Sequence, residues 1–327
     1  MAANSKIEWC DHTFNPWVGC TKISPACDHC YAESWAKRTG QPHLWTGERR
    51  RTSAANWKQP LAWNRAAEKA GVRNRVFCAS LADVFDNQVP QQWRDDLWWL
   101  IAHTPHLDWL LLTKRPQNIK AMLPQFDEGP AWPWPNVWLG TTVENRVQAE
   151  FRIQELLAVP AAKRFLSCEP LLGPVDLHHI QQSTGWISPL DGIRHIGPSV
   201  FHGDDRIHWV ICGGESGPGA RPMHPVWALK IRDQCQAHGV PFFFKQWGEW
   251  IEFDHGTPET IEVDVDSELA ESILPLLKHP GWITKSGTFC ASLDEIPVDE
   301  PARLMDRVGK AAAGAMLDGR EWREFPA

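Results

Sequence analysis

The sequence has a single tyrosine, Tyr31, against 20 tryptophans. No apolar run approaches the roughly 18 residues that a membrane span needs. The opening stretch, MAANSKIEWCDHT, has no apolar signal-peptide core. Positive charge is not in excess either: 33 Lys and Arg stand against 40 Asp and Glu, a formal net charge of −7. A membrane-spanning chain and a generally basic, nucleic-acid-coating surface are thereby excluded, although a local basic groove is not. The expectation is a cytoplasmic protein with no membrane partner. Nine cysteines, an odd number, come with no secretion signal, which argues against a disulfide framework.

What is present is 327 residues, 43% apolar and 22% charged, in keeping with a globular enzyme that has a sizeable core. Short apolar runs at 7–9, 75–79, 109–113, 137–141, 164–167, 209–212 and 241–244 read as buried strands. Helical patterns at 32–37, 91–103, 146–158 and 225–236 lie between them. Repeated strand–loop–helix units imply a parallel sheet with helical crossovers, an α/β fold forming a complete or partial (β/α) barrel of the TIM type. Functional groups then belong at the carboxyl ends of the strands. Residues 1–250 are expected to form this barrel. Residues 178–206, without clear periodicity, read as an irregular insertion that could gate substrate. Residues 251–327 read as an irregular extension packing on the barrel.

Three cysteines fall within eleven residues, in CTKISPACDHCY from Cys20 to Tyr31, a C-x6-C-x2-C spacing after the first strand. Thiolates bind soft metals and iron–sulfur clusters. A closed zinc site needs a fourth ligand, which His12, His29 or Cys10 could supply. A four-iron cluster held by Cys20, Cys27 and Cys30 keeps one iron open, where the amino and carboxylate groups of S-adenosylmethionine can bind. Three unrelated cysteines are the bland alternative. Cys78 and Cys212, inside apolar strands, and Cys168, out of phase with Ser167 and Glu169, read as packing residues.

Cysteines after the first strand of a parallel barrel, the last followed by an aromatic residue, resemble the radical S-adenosylmethionine superfamily. The first gap of six departs from that superfamily's usual C-x3-C-x2-C. The chain is more closely similar to a phage and bacterial "three-Cys-motif" family of unknown function. The similarity is carried by IEW at Ile7–Trp9, TFNP at Thr13–Pro16, GCTK from Gly19, CDHCYAE from Cys27, LLLTKRP from Leu110, FLSCEPLLGP from Phe165, GGESG from Gly213 and FKQWG from Phe244. It spans most of residues 5–250 and resumes near Gly309–Pro326. The resemblance implies a [4Fe–4S] cluster, bound S-adenosylmethionine with Tyr31 beside it, and hydrogen abstraction by a 5′-deoxyadenosyl radical. It also implies an external electron donor, and leaves room for a separately encoded partner protein.

S-adenosylmethionine needs particular chemistry around it. Ser80, Asp83, Lys114 and Arg115 could meet its methionyl end. Glu144, Asn145, Ser167 and Glu169 could meet its ribose. Gly213 and Gly214, lacking Cβ atoms, could admit its adenine. Arg115 and Glu169 could equally form buried salt bridges between strands, and Gly213–Gly214 a plain turn. The GGESGPG loop lacks the P-loop spacing, yet with Arg221 and Lys245 it could hold a substrate phosphate. Arg49, Arg50 and Arg51 lie near Trp45, Trp57 and Lys58, a pairing that single-stranded nucleic acid uses, or a surface loop with solvated charge. The substrate expectation is a nucleic acid or nucleotide. The rivals are a zinc-binding module that contacts nucleic acid, and an enzyme-like barrel serving as a partner subunit.

Overall fold

The computed structural model describes residues 5–125, 131–253 and 274–327. Its centre is a seven-stranded parallel sheet, curled into a half-barrel. The strands are β1 (His12–Phe14), β4 (Asn74–Cys78), β5 (Leu107–Thr113), β6 (Val137–Thr142), β7 (Lys163–Cys168), β12 (Trp209–Gly213) and β13 (Phe242–Gln246), in that spatial order. Each sits beside the next of the set in chain order, the winding that curls a sheet toward a barrel instead of opening it both ways. Six of the seven strands match the apolar runs within a few residues. The first does not: residues 7–9 form a turn, and β1 begins at His12. Ile7 and Trp9 carry the apolar signal because they pack against the concave face of the sheet, with Trp9 4.6 Å from Phe77.

Side chains alternate across the sheet as the two-residue period requires. Phe77, Leu110, Trp138, Phe165, Trp209, Ile211 and Phe243 fill the concave side. Cys78, Leu111, Leu139, Leu166, Cys168, Cys212 and Phe244 face the helices, where Cys235 joins them. The packing readings of Cys78, Cys168 and Cys212 therefore hold. The helices are α1 (Tyr31–Arg38), α2 (Ala54–Trp57), α3 (Gln59–Ala70), α4 (Gln91–Ala102), α5 (Arg146–Leu157) and α6 (Pro225–Ala237). Asn145 caps α5 by accepting from the Gln148 N–H, and α6 starts with proline at its first position, both ordinary start signals.

The sheet stays open between β1 and β13, and the chain termini cover that opening. Residues 322–324 run antiparallel along β13, with Phe244 N–H donating to Trp322 O at 2.9 Å. Phe325 packs on Trp209 and Phe243, and Arg323 pairs with Glu8 at 2.9 Å.

Both regions read as irregular are sheets. Residues 180–202 form a four-stranded antiparallel meander, β8 (Ile180–Gln182), β9 (Gly185–Ser188), β10 (Ile193–Ile196) and β11 (Ser199–His202). The extension holds β14 (Trp250–Glu252), β15 (Pro280–Thr284), β16 (Phe289–Cys290) and β17 (Ala302–Arg307), in the order β14-β17-β15-β16. Two small pairs complete the set: β2 (Trp17–Val18) with β3 (Arg50–Arg51), and β18 (Met316–Leu317) with β19 (Arg320–Glu321). A single helical turn, Lys310–Ala313, follows β17.

The meander is not placed to gate a carboxyl-end site. Asp205 pairs with Arg164 at the start of β7, Asp191 with His238 at the end of α6, and Gln181 O accepts from Gln154 near the end of α5. All three contacts lie at the amino end of the parallel strands. Among the described residues, no helix is long and apolar enough to cross a membrane.

Candidate active site

The carboxyl ends of the strands surround a cavity of about 370 Å³, within the range of small-ligand sites. Cys20, Cys27 and Cys30 line it together, all three as free thiols. Cys30 is the N-cap of α1, and Cys27 ends a short 3₁₀ turn, Pro25–Cys27. Gly19 sets where the loop begins. Its φ is +114°, and a Cβ there would stand 2.7 Å from Glu48 O and 2.8 Å from Leu44 O, so only glycine allows this approach.

Two charged assemblies fix the loop. In the first, Arg115 donates through Nη2 to Thr21 O and Oγ1, at 3.0 and 2.9 Å, and through Nη1 toward Cys20 Sγ at 3.6 Å. The same Nη1 reaches Asp83 at 3.0 Å, and Asp83 also accepts from Thr113 Oγ1 and from the Phe85 and Lys114 N–H groups. Burial pushes the Cys20 thiol up to about 11, with Asp83 adding to the rise and Arg115 opposing it. In the second, Glu215 accepts from His29 Nδ1 at 3.0 Å and from Arg221 Nη2 at 2.6 Å, while Arg221 reaches Pro25 O and Asp28. This ties the loop after β12 to the cysteine loop. Burial favours the neutral form of Glu215, but the hydrogen bonds from Arg221 and His29 outweigh it and hold the carboxyl below its ordinary value.

The sequence-predicted site residues divide cleanly. Tyr31, Ser80, Asp83, Lys114, Arg115, Ser167, Glu169, Gly214 and Lys245 line the cavity with the cysteines. Tyr31 OH donates to Ser80 O at 2.5 Å, fixing a turn in which Ala79 takes φ +67°, a strained value for a residue with a Cβ. Lys245 pairs with Glu169 at 2.8 Å. Glu144 and Asn145 are not at the cavity. Glu144 is fully buried against Arg152 at 2.8 Å, and Asn145 is occupied as a helix cap. Their polarity serves the start of α5. Gly213 packs beside Glu169 outside the lining, and Gly214 is required by another backbone: a Cβ would lie 1.8 Å from Trp247 O. Arg221 is engaged in the loop tie, which removes it as a phosphate ligand.

The arginine run is also dispersed. Arg49 is buried against Asp86. Arg51 pairs with Asp96 at 2.5 Å and covers the Trp57 ring at 4.1 Å. Together with Lys58 and Trp99 they border a separate groove between α2, α3 and α4, on the helical face. Trp45 alone of that group lines the main cavity. Lys6, Trp9, Phe77, Thr142, Gln246 and Lys310 line it without having been singled out. Strand alternation could have found Thr142, two residues after Gly140 on the concave face. Lys6 and Lys310 come from outside the parallel sheet and carried no local signal.

Among the described residues, no three His, Cys, Asp or Glu groups converge as ligands of a single metal ion. A four-iron cluster asks for something else, since each thiolate binds a different iron and the three ring the cluster. Three free thiols around one cavity fit that donor set. Of the fourth ligands a zinc site would need, His12 stacks on Trp63 and Cys10 donates to Ser5, whereas His29 lines the cavity and bonds Glu215 through Nδ1, the arrangement that leaves its other ring nitrogen to a metal.

A half-barrel of parallel strands with a cysteine-lined cavity at its carboxyl end defines an α/β protein whose candidate site lies at the strand ends. The chain belongs to the family described as protein of unknown function (DUF5131), whose model matches residues 4–326. No curated protein and no solved structure matches it.

Proposed function

We propose that this chain is a radical S-adenosylmethionine enzyme acting on a nucleic acid or nucleotide. The observation that carries the reading is the convergence of Cys20, Cys27 and Cys30 on one cavity at the carboxyl end of a partial (β/α) barrel. Bound there, a [4Fe–4S] cluster with S-adenosylmethionine would supply a 5′-deoxyadenosyl radical for hydrogen abstraction. The protein's own part is to hold and shield. Cys20, Cys27 and Cys30 would hold the cluster, with Arg115 bracing Cys20. Lys114, whose ammonium has no partner among the described residues, suits the methionyl carboxylate. Ser80, whose hydroxyl also bonds Asn15, would offer an oxygen to the ammonium end, because Asp83 and Arg115 are engaged with each other. Ser167 and Glu169 suit the ribose, and Trp9 and Phe77 offer flat apolar surface. The Glu215–Arg221 tie would hold the cysteine loop in place beside the cavity.

The test is anaerobic reconstitution with iron, sulfide, a reductant and S-adenosylmethionine, followed by assay for 5′-deoxyadenosine. A brown protein that forms it supports the reading. A colourless protein with one bound zinc and no 5′-deoxyadenosine supports the zinc-module alternative.

A further inference from the structure

Charge in the cavity is not balanced. Three carboxylates line it, and all are engaged: Asp83 with Arg115, Glu169 with Lys245 and Glu215 with Arg221. Of the ammonium groups that line it, Lys22 pairs with Glu33 and Lys245 with Glu169. The ammonium groups of Lys6, Lys114 and Lys310 have no hydrogen-bond or ion-pair partner among the described residues. The proposed cofactors do not cancel this surplus. A resting four-iron cluster on three thiolates brings one formal negative charge, and S-adenosylmethionine brings one net positive charge. With Lys114 set against the methionyl carboxylate, Lys6 and Lys310, both exposed to solvent, remain at the cavity without a protein partner among the described residues.

These two lysines arrive from opposite ends of the chain. Lys6 precedes β1, and Lys310 opens the helical turn after β17. The terminal segments that cover the open side of the half-barrel thus also bring positive charge to its cavity. A second observation points to a polar ligand on the same side. Gln246, 5% exposed at the end of β13, lines the cavity, and its buried amide oxygen has no hydrogen-bond partner among the described residues. Buried polar groups are ordinarily satisfied, so an orphan in a cavity wall marks a place for a ligand's hydrogen bond.

We infer that the cavity takes a phosphate-bearing substrate, a nucleotide phosphate held by Lys6 and Lys310, with Gln246 available to a hydrogen-bonding group of the base. Separate point charges on flexible stems suit a dianionic phosphate, which can engage both, better than a single carboxylate. The assignment rests on the cavity being the active site proposed above. It moves phosphate recognition from Arg49–Arg51 and Arg221, which are largely engaged internally, to two lysines that are not.

The test is a binding titration of the reconstituted protein with thymidine 5′-monophosphate, thymidine and a short oligothymidylate, at low and moderate salt. A Lys6→Gln/Lys310→Gln double variant is compared with wild type, with iron content measured in both. The expected result is that a phosphate-bearing probe binds wild type at least about tenfold more tightly than thymidine, and that the double variant loses about tenfold, or about 1.4 kcal/mol, at unchanged iron content. Added salt should weaken the wild type toward the variant. Preference for the monophosphate or for the oligothymidylate identifies a free nucleotide or a strand as the phosphate source. Equal binding of all three probes, no binding of either phosphate-bearing probe, or full phosphate binding by the variant would overturn the inference. Absence of 5′-deoxyadenosine in the separate wild-type assay would overturn the radical reading while leaving the phosphate site standing.

Discussion

At the carboxyl end of the parallel strands the concave face carries Lys114, Thr142, Ser167, Glu169 and Lys245. A few residues back along the same strands it carries Phe77, Leu110, Trp138, Phe165 and Trp209. The apolar half is a filled core, closed below by Phe325. The polar half is the cavity. The two added sheets divide in the same way. The meander bonds to the amino end. The C-terminal sheet backs the other end, where Trp250 donates to Ala220 O, Arg307 to Gly217 O, and Trp227 to Lys285 O. It therefore buttresses the loop that holds the cysteine loop through Glu215 and Arg221. Mutations should separate accordingly, with cofactor loading failing at one end and stability alone failing at the other.

The largest contrast is among the cysteines. Cys27→Ala should reduce iron after reconstitution to background, because three thiolates leave no spare ligand, and Cys20→Ala and Cys30→Ala should do the same. Cys78→Ala and Cys212→Ala, at fully buried positions in the sheet, should keep wild-type iron and lose roughly 1 kcal/mol or more of stability. Full iron in the Cys27 variant would end the assignment of these ligands.

Next in size is the Asp83–Arg115 pair, each side chain 6% exposed. Asp83→Ala leaves a buried guanidinium uncompensated, which costs about 3–5 kcal/mol, read as a lower denaturant midpoint. Because Arg115 also braces Cys20 and Thr21, iron should be retained less well in this variant than in one of equal instability at the meander. Equal iron retention in the two would show that the brace is structural only.

Acid should separate the ends by pH. His208, at the amino end, accepts from the Arg164 N–H through Nδ1 at 3.1 Å. Burial, helped by the charge of Arg164, pushes its pKa from 6.5 down to about 4. Between those values the unfolded chain binds a proton that the folded chain does not, so stability falls as pH drops through that window, by up to about 3 kcal/mol. His224, the N-cap of α6 at the carboxyl end, is also pushed down to about 4 by burial and shares the window, so the amino end is read from the His208 variant alone. His208→Gln should therefore remove part of the slope. Glu215, held below its ordinary value of 4.5, stabilises at neutral pH and loses that contribution only as pH falls below the usual carboxylate range. Glu215→Gln should lower stability at neutral pH and flatten that lower limb of a pH–stability curve.

Much of this layout was legible in the sequence, for a physical reason. Central parallel strands are buried on both faces, so β5, β6, β7 and β12 read as unbroken apolar runs with polar residues just after them. The grouping of Cys20, Cys27 and Cys30 was legible because the three thiols sit in one short loop. Ile7–Trp9 misled because a segment packed on the concave face has a strand's apolarity without its pairing. The meander was missed because its outer strand, Ser199–His202, is exposed throughout and lacks the alternation that marks a half-buried strand. Glu144 and Asn145 sit at a strand end like true site residues, but a polar side chain there can as readily start the next helix. Lys6 and Lys310 depend on the tertiary fold, in which both chain ends come to one cavity.

The smallest expected effect is at Arg50, and it isolates what remains of the arginine run. With Arg49 paired to Asp86 and Arg51 to Asp96, Arg50 is left with no side-chain partner among the described residues. One exposed charge contributes little by itself, so Arg50→Ala should leave stability within about 0.5 kcal/mol of wild type. Binding of a short oligothymidylate at low salt should change by no more than about twofold. The salt dependence should also stay close to that of wild type, since at most one phosphate contact is removed. The comparison needs the Lys6→Gln/Lys310→Gln variant in the same titration. If Arg50→Ala weakens the strand as much as loss of the two lysines does, the helical-face groove beside Trp57 and Trp99 lies on the strand's path. Phosphate recognition would then extend well beyond the carboxyl end of the half-barrel.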